Sequence, residues 1–177
     1  MLTVIFDIDG TLSSADHRAH YVECDNPDWE SFLKPELVAL DTVIEGSQRG
    51  FKHLAEIADE IIFLTGRNEG LREVTTMWLF NNFADLLPNG NHHLNIVMRP
   101  IGDNRVPSEY KTDALRGIEN RLAAQGLGAS TILAVDDDKW MMGVYRKLGY
   151  ITLHAPDCWL TLFPDFDHLT NETTWRR

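Results

Sequence analysis

The chain has 177 residues, 44% of them apolar and 24% charged, a composition that excludes a disordered or collagen-like protein. Its formal charge of −11 argues against an extended grip on nucleic acid, although it is compatible with binding one phosphorylated end. No apolar run approaches the ~18 residues of a membrane helix, and no leader pattern precedes the first strand. We therefore expect a single cytoplasmic domain over residues 1–177, without membrane contact.

The first third of the chain begins with a strand pattern. The largely apolar run Val4–Ile8 predicts a buried strand that ends before Gly10. A segment without a clear period follows, and we expect a flap or minimal cap over about residues 13–40. Helical spacing then covers parts of residues 36–58, with an expected interruption at Gly46–Gly50.

Strand and helix patterns alternate through the rest of the chain. The predicted strands are Ile61–Leu64, Leu94–Met98, Thr131–Val135 and a last one around Tyr150–Leu153. The predicted helices contain Leu71–Leu79, Leu115–Leu122 and the segment that ends near Leu148. An aromatic tail without a clear period covers residues 156–177, and packing over the sheet edge is its default interpretation.

The alternation of strands and helices predicts an α/β fold of Rossmann-like type, a three-layer parallel sheet with helices on both faces. Ligands of such sheets bind at the carboxyl ends of the strands. Three polar clusters follow predicted strands, namely Asp7 with Asp9, Thr65–Arg67 and Asp136–Asp138. We therefore expect these clusters to meet in one cleft.

The clusters are suited to phosphate chemistry. Asp7 and Asp9 share one face of a regular strand, where two carboxylates repel unless a cation or a proton lies between them. One of them can act as nucleophile or metal ligand and the other as proton donor. Thr65 can hold a phosphoryl oxygen, and Lys111 is the best-placed cation to neutralise the charge around it. Asp136–Asp138 adds the hard oxygen ligands that Mg²⁺ prefers.

These residues carry a resemblance to a known superfamily. Asp7-Ile8-Asp9-Gly10-Thr11-Leu12 resembles the first motif of the haloacid dehalogenase (HAD) phosphotransferases. The strand before Thr65-Gly66-Arg67 resembles the second motif, Lys111 the third, and Val135-Asp136-Asp137 the fourth. The order and spacing match over roughly residues 2–153, and the lengths between motifs leave room for minimal or no cap domain.

The resemblance implies a Mg²⁺-dependent phosphatase. Asp7 would attack phosphorus and form an aspartyl-phosphate, and Asp9 would protonate the leaving oxygen and then activate water. Thr65 would hold the phosphoryl group, and Lys111 would bridge it to Asp7. The implied metal ligands are Asp7, the backbone carbonyl of Asp9, Asp136 as the first choice and Asp137 beside it.

A narrower resemblance is to the 3′-phosphatase domain of phage-type polynucleotide kinase-phosphatases. It is carried by Thr65–Arg67, by Met98-Arg99 through Gly102–Arg105 to Lys111, by Leu133–Asp137, and by Arg146–Gly149. The sequence contains no G-x-x-x-x-G-K-[ST] motif for a kinase half, so a kinase or ligase partner would be a separate protein. In the stretch before Lys111, where that family carries an acidic residue, only Glu109 could substitute.

The expected substrate is a 3′-phosphate at a nucleic-acid end or on a nucleotide, in an open cleft. Gly66 would approach this substrate, and Arg67, Arg99 and Arg105 could clamp a second phosphate or a sugar, although ion pairing is an equal alternative for the last two. A nucleoside 5′-monophosphatase is the alternative that the acidic charge favours. A non-catalytic binding protein on the same scaffold is a further alternative.

Several residues have structural interpretations as well. Asp138 has the sequence context of a helix N-cap. Trp29, with Phe32 and Leu33, fits packing within the flap, and base stacking on Trp29 is the alternative. Cys24 and Cys158 are predicted to be free, buried thiols.

Overall fold

Strands form the centre of the protein. A computed structural model describes residues 1–88, 94–126 and 131–163. In chain order the strands are β1 (Thr3–Phe6), β2 (Ser13–Ser14), β3 (Thr42–Val43), β4 (Glu60–Asn68), β5 (Ile96–Arg99), β6 (Ile132–Asp136) and β7 (Ile151–His154). Five of them form a parallel sheet in the order β5-β4-β1-β6-β7, and β2 and β3 form a separate antiparallel pair. All five predicted strands are confirmed, and β4 continues to Asn68, past the predicted end of this strand at Leu64.

Helices connect these strands. They are α1 (Asp16–Ala19), α2 (Trp29–Phe32), α3 (Pro35–Val38), α4 (Ser47–Ile57), α5 (Arg72–Phe83), α6 (Pro107–Ala124), α7 (Lys139–Lys147) and α8 (Asp157–Thr161). The predicted cap at Asp138 is confirmed, because its carboxylate accepts hydrogen bonds from the backbone amides of Trp140 and Met141 at the start of α7. Among the described residues, no helix is both long and apolar enough to cross a membrane.

The central strand β1 divides its side chains between two apolar layers. Val4 and Phe6 point to the layer formed by α4, α5 and α8, whereas Ile5 points to the layer formed by α6 and α7. This alternation follows from the two-residue period of a strand. The predicted arrangement with helices on both faces of a parallel sheet is therefore confirmed.

The expected helix interruption at Gly46–Gly50 is wrong for the second glycine. Gly46 precedes α4 with a φ of 77°, but Gly50 lies inside the helix. A Cβ atom at Gly50 would come within 2.3 Å of the ring of Trp159, so the glycine is required by a close contact. Trp159 itself is fully buried, and its indole donates to the carbonyl of Thr11 at 2.8 Å. This first part of the aromatic tail thus belongs to the core, and residues 164–177 lie outside the described residues.

The flap lies between β2 and β3 and contains α1, α2 and α3, each a single turn long. The sequence predicts an irregular segment here, because its apolar residues follow no helical period. Contacts with the rest of the protein explain the three helical turns. Asp28 caps α2 by accepting from the amide of Ser31. The protein therefore has little cap, as predicted, and the flap can bring only a few side chains to the carboxyl ends of the strands.

The two thiols differ in their environment. Neither forms a disulfide, but only Cys158 is buried as predicted, whereas Cys24 is exposed on the flap. Burial raises the pKa of the Cys158 thiol to about 12.

Candidate active site

Asp7 follows directly after β1, at the carboxyl edge of the sheet. Its backbone amide continues the pairing with β6 by donating to the carbonyl of Val135 at 2.9 Å. Its buried carboxylate lies 2.9 Å from the ammonium of Lys111, which α6 carries to the same edge. The packing of α6 on the sheet thus brings together two residues that are more than one hundred positions apart in the chain.

Asp136, at the end of β6, is the second carboxylate on Lys111. Its Oδ2 accepts from the Lys111 ammonium and from the hydroxyl of Tyr145, both at 3.0 Å. Its Oδ1 accepts from the backbone amide of Asp138 at 2.9 Å. Asp136 is fully buried, and both of its carboxylate oxygens accept hydrogen bonds. Its contact with Lys111 helps to fix the position of the ammonium group.

Asp7, Asp136 and Asp137 can each offer a carboxylate oxygen within 4.8 Å of the others. Three carboxylates against one ammonium leave a surplus of two negative charges, which suits a hard divalent cation. Burial raises the pKa of Asp7 well above its ordinary value, opposed by Lys111 and reinforced by Asp136 and Asp137. Burial and Asp136 also raise the pKa of Asp137. The three carboxylates beside a single ammonium therefore fit a metal ion such as Mg²⁺.

Asp9 has entirely different neighbours. Arg67 grips both of its carboxylate oxygens, with contacts of 2.7 Å from Nη2 and 2.9 Å from Nε, and Arg18 adds a contact at 3.2 Å. The two guanidiniums also share Asp41, at 2.6 Å for Arg18 and 2.7 Å for Arg67. The four side chains form a charge-balanced cluster, which we call the Asp9 cluster.

The Asp9 cluster changes the acidity of its exposed member. Burial alone would raise the pKa of Asp9, but Arg67 and Arg18 outweigh it and hold this pKa below the ordinary value. The side chain of Asp9 is still 35% exposed, whereas those of Asp41 and both arginines are almost fully buried. One face of Asp9 therefore remains open to the cleft.

The second polar cluster lies at the end of β4. Thr65 is buried, and its hydroxyl accepts from the amide of Arg67 at 3.1 Å, which leaves its own proton to donate. Gly66 allows close packing, because a Cβ atom there would lie 2.7 Å from Pro107. Arg67 is buried and fully engaged inside the protein, where Ser13 and Thr75 also accept from it. All three of its guanidinium nitrogens already donate to acceptors within the protein.

A cleft of about 250 Å³ opens above these residues. It brings together most of the predicted site residues, namely Asp7, Asp9, Gly66, Arg67, Arg99, Lys111 and Asp137. Thr65 and Asp136, which have no exposed surface, are not among the residues that line it. Arg105 lines a separate depression beside Trp140, where its guanidinium pairs with Asp103 and Asp113.

Comparison with known proteins decides the family. The family model of the polynucleotide kinase PNKP phosphatase domain matches residues 2–157. The chain belongs to this family. This PNKP-type domain is thus a HAD-superfamily phosphatase, as the motifs predicted. No curated protein sequence matches it.

Solved structures share the fold of this PNKP-type domain. Two are chains of Pnkp1/Rnl/Hen1 complexes, one described as an RNA repair complex, with TM-scores of 0.55 and 0.59 and identities of 19% and 20%. Each covers 86% of this chain, but the chain spans only 42% and 45% of their length. A HAD-like hydrolase from Streptococcus pneumoniae, at 14% identity and a TM-score of 0.59, covers 87% of this chain, which spans 84% of it. At such identities the likeness shows the fold alone.

Sequence reasoning missed three residues of the site. Arg18 and Asp41 lie in the flap, outside every recognised motif, and Tyr145 looks like one more apolar position of α7. Each contacts a motif residue only after folding: Arg18 contacts Asp9 across 9 positions of the chain, and Asp41 contacts Arg67 across 26. Arg18 and Asp41 belong to a segment without a period or a motif, so no local pattern marks them as site residues.

Proposed function

We propose that this phosphatase forms an aspartyl-phosphate on Asp7, depends on Mg²⁺, and removes 3′-phosphates from nucleic-acid ends or nucleotides. The observation that carries the proposal is the Asp7 carboxylate, held by Lys111 beside an acidic cluster at the floor of the cleft. A carboxylate placed beside a fixed cation can approach a phosphate dianion that would otherwise repel it.

The reaction would proceed in two displacements. A carboxylate oxygen of Asp7 attacks phosphorus, the bond to the leaving oxygen breaks, and Asp9 gives that oxygen its proton. Asp9 then takes a proton from water, which attacks the aspartyl-phosphate and releases inorganic phosphate with Asp7 restored. Lys111 stays close to Asp7 throughout and stabilises the charge that gathers on the phosphoryl oxygens.

The Asp9 cluster supports both roles of Asp9. Arg67 and Arg18 fix its carboxylate, and the lowered pKa keeps Asp9 ionised, as a group that accepts a proton from water must be. A bound phosphate dianion brings negative charge next to Asp9 and favours its protonated form for the first step. We therefore assign Arg67 to positioning Asp9, in place of the phosphate clamp that its motif suggested.

Among the acidic residues, we propose Asp137 over Asp136 as the metal ligand. Asp136 already accepts three hydrogen bonds, whereas Asp137 lines the cleft. Mg²⁺ held by Asp7, Asp137 and the backbone carbonyl of Asp9 would neutralise charge on the phosphoryl group. Titration with Mg²⁺ tests the assignment, since Asp137→Asn should raise the concentration needed for half-maximal activity at least tenfold more than Asp136→Asn does.

The family and the size of the cleft support a nucleotide 3′-phosphate. A volume of about 250 Å³ lies below the ~300–1,000 Å³ of sites that enclose a whole small molecule. The cleft would admit a phosphate and part of its sugar while the rest of a polymer stays outside. Arg99 borders this space with a buried Nε that has no partner among the described residues, so it is the candidate contact to a second phosphate or sugar.

Phosphate release from a matched panel tests the proposal. The panel contains a 3′-phosphorylated oligonucleotide, its 5′-phosphorylated isomer, and the corresponding 3′- and 5′-mononucleotides, each with Mg²⁺ and with EDTA. We expect the 3′-phosphates to be preferred and EDTA to stop release. Preference for 5′-mononucleotides would instead support a nucleotidase, the alternative that the charge of −11 favours. A kinase or ligase partner in end repair, as in the Pnkp1/Rnl/Hen1 complex, is proposed only if polymer ends are hydrolysed.

A further inference from the structure

We propose that Trp29 stacks on the nucleobase next to the phosphate, and that this contact selects nucleotides over base-free phosphate esters. The inference rests on the proposed function and names the part of the substrate that the flap recognises. It starts from the position of one exposed aromatic residue in the wall of the cleft.

Trp29 differs from the aromatic residues of the core. Phe6, Phe51 and Trp159 are fully buried, whereas Trp29 is 56% exposed. Its exposed indole lines the same cleft as Asp7 and Lys111. An indole that contributes little to the core but borders the reacting groups has a free face for a flat ligand.

Phe32 of the flap connects this indole to the Asp9 cluster. Trp29 packs edge-to-face on Phe32, with ring centroids 5.7 Å apart and an interplanar angle of 85°. The guanidinium of Arg18 lies 4.1 Å from the Phe32 ring and donates to the Phe32 carbonyl at 2.9 Å. The same guanidinium contacts Asp9, so the position of Trp29 relative to the catalytic carboxylates is set by a continuous set of contacts.

The cleft is lined by two kinds of side chain, which call for a substrate with two different parts. Trp29, Phe32, Leu33 and Pro107 are apolar, whereas Lys111 and the carboxylate cluster are charged. A phosphate dianion joined through a sugar to a flat, weakly polar ring matches both kinds. Stacking accepts any base because every base has a π-face, so the contact would favour nucleotides without reading their sequence.

A pair of oligonucleotides separates stacking from catalysis. Both end in a 3′-phosphate, but one carries thymine at the terminal residue and the other carries a base-free tetrahydrofuran residue. In Trp29→Ala we expect kcat/KM for the thymine substrate to fall about 5- to 150-fold, the range of one base stack, and to change less than about twofold for the base-free substrate. Trp29→Tyr should retain most of the activity because it keeps an aromatic face.

Phe80→Ala is the matched control, since Phe80 is a 49% exposed aromatic residue of α5 that does not line the cleft. Equal losses on both substrates, or no loss on either, would overturn the proposal and leave Trp29 as a packing residue. If the wild-type protein hydrolyses neither substrate, the proposed function fails separately. Binding of the same two oligonucleotides in EDTA then tests stacking by itself, with tighter binding of the thymine form expected in the wild type but not in Trp29→Ala.

Discussion

Asp7 and Asp9 are two residues apart in one short segment, yet their surroundings shift the pKa values of their carboxyl groups in opposite directions. Around Asp7, three carboxylates share one lysine, and burial raises the pKa of the nucleophile candidate. Around Asp9, two carboxylates face two arginines, and the pKa of Asp9 is lowered despite its burial. The first environment lacks positive charge, and the second is balanced.

The difference suits the two aspartates to the two roles that we propose for them. A charge-deficient cluster can take up a cation and a phosphoryl group, so it suits covalent chemistry and metal binding. A balanced cluster holds its carboxylate in place and needs no ligand to be stable. The proposed roles therefore rest on the arginines and carboxylates around each aspartate.

Replacement of the Asp7 carboxylate should have the largest effect. Asp7→Asn removes the attacking oxygen, so we expect kcat to fall by at least about 10³-fold with the fold retained. Phosphate release measures the loss, and a thermal unfolding curve serves as the control for folding. If Asp7→Asn releases phosphate at the wild-type rate, Asp7 is not the nucleophile, and the proposed difference in role between Asp7 and Asp9 is wrong.

Loss of the proton donor should depend on the leaving group. Asp9→Asn should lower kcat about 10²- to 10⁴-fold for a nucleotide, whose leaving alkoxide needs a proton. The loss should be much smaller for p-nitrophenyl phosphate, because p-nitrophenolate leaves without a proton, provided that phosphorylation of Asp7 limits the rate. Steady-state kinetics with both substrates checks this, and equal losses would contradict the role of Asp9 as an acid.

Loss of a buried carboxylate from the Asp9 cluster should lower the free energy of unfolding. Asp41→Asn leaves Arg18 and Arg67 with one carboxylate fewer in a buried place, so the free energy of unfolding should fall by about 3–5 kcal/mol. Asp113→Asn, which weakens exposed ion pairs with Arg105 and Arg116, should cost less than about 1 kcal/mol. Urea denaturation compares the two, and similar losses would mean that Asp41 is not the centre of the cluster.

Mg²⁺ should stabilise the charge-deficient side by a smaller amount. At ten times its Kd the ion adds about 1.4 kcal/mol, or a rise in Tm of roughly 3–6 °C for a chain of this length. Burial raises the pKa of Asp7 and Asp137, so both are more fully ionised at higher pH, and protons compete with the ion as the pH falls. The rise in Tm should therefore be largest above these raised pKa values and shrink in acid.

Two variants sharpen this last prediction. At the same Mg²⁺ concentration, Asp137→Asn should reduce the rise in Tm to less than about a third, because a tenfold weaker site adds only about 0.4 kcal/mol. Asp41→Asn should start from a lower Tm and show the same rise as the wild type. A rise that is independent of pH, or that is undiminished in Asp137→Asn, would place the ion elsewhere.

The sequence alone determined the five strands of the parallel sheet and the polar residues at its carboxyl edge. Five short apolar runs became the five strands, because strand periodicity and burial act over a few neighbouring residues. The cap at Asp138 is equally local. The motif residues Asp7, Lys111 and Asp137 meet in one cleft because parallel strands end at one edge.

Only the tertiary structure decided what surrounds each carboxylate. Arg18 and Asp41 come from a flap with no period, Tyr145 reaches Asp136 from the next helix, and Gly50 is explained by Trp159, 109 positions away. Electrostatic energy depends on distances in space, which local patterns do not contain. The opposite pKa shifts of two aspartates in one motif are therefore a property of the folded chain.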